Sequence, residues 1–243
     1  MPPRVPTFAS RLLRAGLLEG VSVLIGGAPP VPQRVGAQAG AQESVAHAVR
    51  SACAELGASL LEWDPALAPA RPDVVVFDGA GAFACALEGA ACAPEGARAP
   101  QGACAPQGAR APEGACAPEG AGAGEREALD RCMELAWELT RAVADSAPLS
   151  AGWAGRIIYI APPQGAGAHA VAARAGLENL ARTLSIEWAR HGVTTAAIAP
   201  GEETSAQEIG ALTAYLASPA GAYFSGCLLD LTGPGPAAVS LPE

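Results

Sequence analysis

No apolar run in this sequence approaches the roughly 18 residues that a membrane-crossing helix needs, so no membrane span is expected. Basic charge is also scarce. Fifteen Lys and Arg residues stand against 24 Asp and Glu, giving a net charge of −9 and a pI near 4.9. That balance argues against nucleic acid and against anionic membrane surfaces as partners. Cysteine is present seven times but never as CxxC, and no Cys/His spacing suits zinc. Reduced, structurally passive thiols and no metal are expected. There is no secretory signal pattern, and a cytoplasmic protein is expected.

What is present is enough for one domain. At 243 residues the chain can bury a core of its own. Half the residues are hydrophobic, much of this alanine, and the strong core formers cluster in short runs such as "VSVLIGG", "DVVVFDG" and "GRIIYIA". Residues 1–20 hold Arg4, Arg11 and Arg14 against Glu19. They are expected to form a short amphipathic arm on the domain 21–243, with a transit peptide as the alternative.

From Ala93 a six-residue unit, "APEGAR APQGAC APQGAR APEGAC APEGAG", repeats five times. Each unit has one proline, at least one glycine and no large apolar side chain. Such a segment buries too little surface to offset the entropy of ordering. A low-complexity insert over about 86–124, disordered or polyproline-like, is expected in a surface loop. A metal site on Cys104 and Cys116 is not expected.

Outside the insert, strand and helix patterns alternate. Strands are expected at "SVLIGG", "ASLLEWD", "DVVVFDG", "GRIIYIA", "VTTAAIAPG" and "GCLLDLTG". Helices are expected at "ESVAHAVRSACAELG", "EREALDRCMELAWELTRAVADS", "AVAARAGLENLARTLSIEWARHG" and "SAQEIGALTAYLASP". In the first, Val45, Val49, Cys53 and Leu56 share a face and Gly57 is the stop. Strands that are continuous apolar runs are buried on both faces, as in a parallel sheet. The alternation predicts a single α/β domain of the doubly wound, Rossmann-like kind.

Three blocks, "GRIIYI", "ARAGLENLARTLSIEWARHGVTTAAIAPG" and "LTAYLASPAGAYFSGCLLDLTG", resemble the short-chain dehydrogenase/reductase family in order and spacing, particularly its 3-oxoacyl-(acyl carrier protein) reductase branch. The match covers 155–233 well and 21–81 more weakly. The resemblance implies an NAD(P)-dependent oxidoreductase, but the positions that would carry the chemistry depart from the family pattern. The phosphate turn is "IGGAPPVPQ". Gly26 matches the family's first glycine and Gly27 follows it, while Pro30 and Pro32 fall where the other two belong. Proline has no N–H to offer a phosphate. Asp64, expected to end the second strand, matches an acidic residue that would bind the ribose. In "DGAG", Ala80 and Gly81 keep the family's close backbone approach, while Asp78 and Gly79 depart from it.

The resemblance places Ala170 at the catalytic tyrosine, Arg174 at the lysine, Pro162 at the serine and Cys132 near the asparagine. Alanine and proline can donate no proton, and an arginine is not tuned for proton transfer. His169, beside the tyrosine position, can titrate but is read as a loop histidine. "EETS" leads almost directly from "APG" into the last helix, where the family carries its substrate lid.

A pseudoenzyme is therefore expected, with no cofactor. It resembles most the non-reactive N-terminal domain of large actinobacterial 3-oxoacyl reductases. The expected partner is an active short-chain reductase subunit on a separate polypeptide, in a hetero- or homo-oligomer. The helices 125–145 and 172–190, with Trp137 and Trp188 as anchors, are the association surface the resemblance suggests. Leu177, Leu180, Ala181, Leu184 and Trp188 form one stripe on the second of these. Two alternatives stand beside this reading. One is a working oxidoreductase using NAD or NADP with displaced catalytic groups. The other is a nucleotide- or acyl-sensing module.

Overall fold

The computed structural model describes residues 8–27, 44–63, 71–92, 121–146 and 152–233. Its centre is one all-parallel, six-stranded sheet. The strands are β1 (Ser22–Gly26), β2 (Ser59–Glu62), β3 (Val74–Asp78), β4 (Arg156–Ile160), β5 (Thr194–Ala199) and β6 (Cys227–Asp230), in the spatial order β2-β1-β3-β4-β5-β6. All six are the runs that the sequence marks as strands. Every residue of β3 is buried, as are the last four of β1 and β4, which is why these strands show no polar alternation.

Helices cover both faces. On one side α4 (Ala121–Ser146) and α5 (Ala170–Glu187) enclose Leu24, Val75, Phe77, Ile157 and Tyr159. On the other, α2 (Val45–Glu55) and α6 (Ala206–Ala217) enclose Val23, Ile25, Val76, Ile158 and Ile198. In α2, Val49, Cys53 and Leu56 are buried and Val45 is packed against them, and Gly57, at φ +96°, ends the helix. The N-terminal arm lies on this second side. It holds a short helix α1 (Phe8–Leu12), with Ala9 and Leu18 buried and the Leu18 N–H donating to the Leu56 carbonyl at 2.9 Å.

One helix is not marked by periodicity. Residues Gly79–Cys92, "GAGAFACALEGAAC", form α3. Apart from Phe83, Leu87 and Glu88 they are Gly, Ala and Cys, so no amphipathic stripe announces them. The helix packs chiefly on α4 rather than on the strands, and the Cys132 thiol of α4 donates to the Gly79 carbonyl at 3.6 Å. Helix α3 reaches Cys92 and α4 begins at Ala121. All of the repeats but Ala121 and Gly122 of the last unit lie outside the described residues.

The core carries one buried polar pair. Thr140 Oγ1 and Tyr159 Oη are 2.7 Å apart, and Thr140 Oγ1 is also 2.7 Å from the Ala136 carbonyl. The carbonyl can only accept, so the threonine proton goes to it and Tyr159 donates to Thr140. Burial pushes the Tyr159 phenol well above its ordinary pKa. Thr140→Val keeps the shape but leaves the tyrosine hydroxyl without an acceptor. A loss of about 1–3 kcal/mol is expected, read as a lower melting temperature by circular dichroism.

Candidate functional site

A doubly wound sheet binds its ligand beyond the carboxyl ends of its strands, where the strand order reverses. Here the chain leaves β1 towards β2 and leaves β3 towards β4, so the switch point lies between β1 and β3. Of the positions read from the sequence, Gly26, Gly27, Asp78, Gly79, Ala80 and Gly81 converge on it. Asp64, Pro30 and Pro32 lie outside the described residues.

The turn after β1 is packed tightly against β3. Gly27 has φ +118°, and a Cβ added to it would stand 2.6 Å from the Asp78 carbonyl oxygen and 2.9 Å from the Asp78 nitrogen. A Cβ on Gly26 would meet Leu139 at 3.0 Å. Gly27 is therefore required by backbone packing, whereas at Gly26 the Leu139 methyl groups would have to shift by a few tenths of an ångström. Asp78 is 1% exposed, and its carboxylate accepts from the Gly81 N–H at 2.9 Å. Burial raises its pKa, while backbone N–H groups of Gly81, Ala46 and Ala80 act in the opposite direction.

The four residues that the resemblance places at catalytic positions make the following contacts. Ala170, the first residue of α5, is fully buried in the α4–α5 core. Cys132 is fully buried, and burial, with the nearby Asp78 charge, pushes its thiol up to about 12, so it is a poor nucleophile. Pro162 is buried just beyond β4. Arg174 is held on three sides. Its Nη1 donates to the carbonyls of Pro162 at 3.1 Å and Pro200 at 2.7 Å, and its Nη2 lies 3.7 Å from Asp230 Oδ1. One guanidinium thus ties together the carboxyl ends of β4, β5 and β6. Among the positions read from the sequence, the structure brings Pro162 and Arg174 into contact and places Cys132 beside Gly79. No proton-transfer pair results.

One sequence feature bearing on this chemistry is simpler than any alignment. All 15 basic side chains are arginine, and the 243 residues contain no lysine. A tyrosine–lysine pair is therefore impossible anywhere in them.

Glu125 pins the loop between β4 and α5, and Glu202 lies beside it. Glu125 of α4 accepts from the Ala168 N–H at 2.9 Å and lies 3.3 Å from His169 Nδ1. Glu202 reaches over Gly165, whose added Cβ would lie 3.0 Å from the carboxylate. Glu125 belongs to no motif, and only its partner His169 stands out in the sequence. Between Gly201 and α6 there are four residues. They close on a capping box in which the Ser205 side chain accepts from the Glu208 N–H and the Glu208 carboxylate accepts from the Ser205 N–H. This is the short connection that the sequence shows after "APG".

At the switch point Gly27 packs closely on the Asp78 backbone, and the turn that follows Gly27 lies outside the described residues.

No protein-family model and no curated protein matches the sequence, whereas solved structures do. A citronellol catabolism dehydrogenase (AtuB) from Pseudomonas aeruginosa PAO1 is similar at 17% identity and a TM-score of 0.53, over 90% of this chain and 96% of that one. A short chain dehydrogenase from Mycobacterium smegmatis is similar at 18% identity and a TM-score of 0.52, over 95% and 96%. BdcA (YjgI) from E. coli is similar at 15% and a TM-score of 0.50, over 88% of this chain and all of that one. The likeness establishes a shared fold with short-chain dehydrogenases. Among the described residues, no helix is long and apolar enough to cross a membrane.

Proposed function

We propose that this chain is a catalytically inactive, short-chain-reductase-like subunit, structural or regulatory, that assembles with an active 3-oxoacyl reductase. The observation that carries the reading is Arg174. At the position where the resembling family places its lysine, the side chain is locked by two carbonyls and a carboxylate into a structural tie. The buried Ala170 and Cys132 and the lack of any lysine agree with it. The resemblance to non-reactive domains of actinobacterial reductases supports the same reading and suggests that the partner is an intact reductase chain.

The adjacent helices α4 and α5 supply an association surface. Trp137 is 55% exposed and Ile186 is 78% exposed, an unusual placement for large apolar side chains on neighbouring helices. Trp188 is half-buried against the core, which leaves Trp137 as the better anchor. Co-expression with an intact short-chain reductase encoded next to it, followed by size-exclusion chromatography, tests the proposal. A co-eluting complex is expected, and Trp137→Asp is expected to release a folded monomer from it. A wild-type chain that never joins the reductase, or that by itself turns over 3-oxoacyl substrates, would overturn it.

One observation favours a second reading, an oxidoreductase with displaced catalytic groups. His169 and Glu125 form a half-exposed pair beside the tyrosine position. The same turnover assay decides between the two, since only this reading expects activity that His169→Ala abolishes.

A further inference from the structure

Helices α4 and α5 differ in what they turn outwards. On α5, six of the eight exposed residues carry no charge: Val171, Ala172, Ala175, Asn179, Thr183 and Ile186. Of the two charged ones, Arg182 is held by Glu178 of the same helix at 2.6 Å, and Glu187 is the last residue. A surface helix carries its charges on its outer side, and α4 does so. Among its described residues nine are exposed. Eight of these are charged, and the ninth is Trp137. Most of the basic charge on α4 is already matched within the helix. Arg131 pairs with Glu134 at 3.0 Å and Arg141 with Asp145 at 3.4 Å. Glu127, Asp130 and Glu138 make no ion pair among the described residues, and Arg126 is the one cation of α4 left beside them. Their spacing of i, i+3 and i+11 puts the three carboxylates on one side of the helix. Trp137 stands two turns beyond Asp130 and next to Glu138. The outer face is thus an uncharged helix beside an exposed tryptophan and a ridge with surplus negative charge.

We infer that this face takes a protein partner whose own facing helix is apolar and edged with lysine or arginine, and not a second copy of this chain. In a two-fold contact between copies the same patch meets itself. Each acidic ridge would then meet a face with the same surplus of carboxylates and only Arg126 to answer them. Like charges brought together across an interface suppress the pairing, and the chain's net charge of −9 adds to the repulsion. A partner with a basic edge meets three open carboxylates instead, and the opposite charges steer it onto Trp137 and Ile186. The inference rests on the assembly reading and settles its form as a hetero-oligomer.

Charge reversal on the full-length chain tests it, with the intact short-chain reductase encoded next to it as the probe. Glu138→Lys and Glu203→Lys change the net charge equally, but Glu203 lies on the connection from β5 to α6 and on neither helix of the face. Both side chains are exposed, so both variants are expected to fold, which circular dichroism checks. Affinity is read by titration calorimetry at low and high salt. Wild-type binding is expected to weaken by about tenfold or more at high salt, where exposed charges are screened. At low salt, Glu138→Lys is expected to weaken binding several-fold and Glu203→Lys to leave it nearly unchanged. The triple variant Glu127→Lys, Asp130→Lys, Glu138→Lys is expected to lose about tenfold or more. A complex indifferent to salt and to these reversals would overturn the inference and leave the assembly reading standing. No complex at any salt would overturn both. Sedimentation of the isolated wild-type chain at low salt is expected to show a monomer. A dimer that Ile186→Asp dissolves would overturn the inference without any reductase present.

Discussion

Leu184→Asp is expected to leave no folded protein, while Ile186→Asp, two residues further along the same helix, folds as the wild type does. The apolar stripe on α5 makes Leu184 an association candidate by sequence, but the structure places it in the core. It is 4% exposed and packed with Leu177, Ala181 and Val193. An aspartate there has no partner, and burying it costs about as much as the whole stability of a domain, roughly 5–15 kcal/mol, unless the structure opens. Ile186, at 78% exposed, faces outwards, and its aspartate is solvated. Circular dichroism separates the variants as free chains. In the complex, Ile186→Asp is the informative one, because it can disrupt an interface without disturbing the fold. Leu180, half-buried against the same core, is a less clean probe.

Arg174→Ala is expected to destabilise the chain by about 3 kcal/mol, the scale of two charge-assisted hydrogen bonds with their carbonyls left behind. For a chain of this size that lowers the melting temperature by about 6–12 °C. The side chain is 13% exposed, so the bonds to the Pro162 and Pro200 carbonyls are little screened. The contact with Asp230, whose carboxylate is half exposed, adds little. Arg174→Lys is expected to recover only part of the loss, because an ammonium cannot reproduce the spread of a guanidinium over separate acceptors. A residue retained for chemistry would give the opposite pattern, with stability unchanged and turnover altered. Thermal melting of the three proteins distinguishes these outcomes.

The strands were fully legible because buried parallel strands are uninterrupted apolar runs, and "VVVFD" and "RIIYI" have few other readings. Helix α3 was not, since a segment mostly of Gly, Ala and Cys, with Glu88 its one charged residue, offers no polar face from which to read a period. At the site, the departures read at Pro162, Ala170 and Arg174 rest on alignment to the three resembling blocks alone. What Arg174 does instead was hidden, because its acceptors follow two different strands and no local pattern connects them. Asp78 was visible only as a departure from the family's Asn-Asn-Ala-Gly. Its packing against Gly27 exists only once β1 and β3 pair.

The pairing of α3 with α4 bears on how the hexapeptide tract can change over generations. The tract leaves the described structure at Cys92 and returns at Ala121, the ends of two helices that hold each other through their own packing. Its attachment points are therefore kept by contacts to which the repeats need contribute nothing. Adding a sixth unit to five lengthens a connection at a closure cost of only about 0.2 kcal/mol. For a connection that adds no contacts of its own, stability is nearly blind to copy number, and a tandem array at this place can gain or lose units while the sheet and the arginine tie stay as they are.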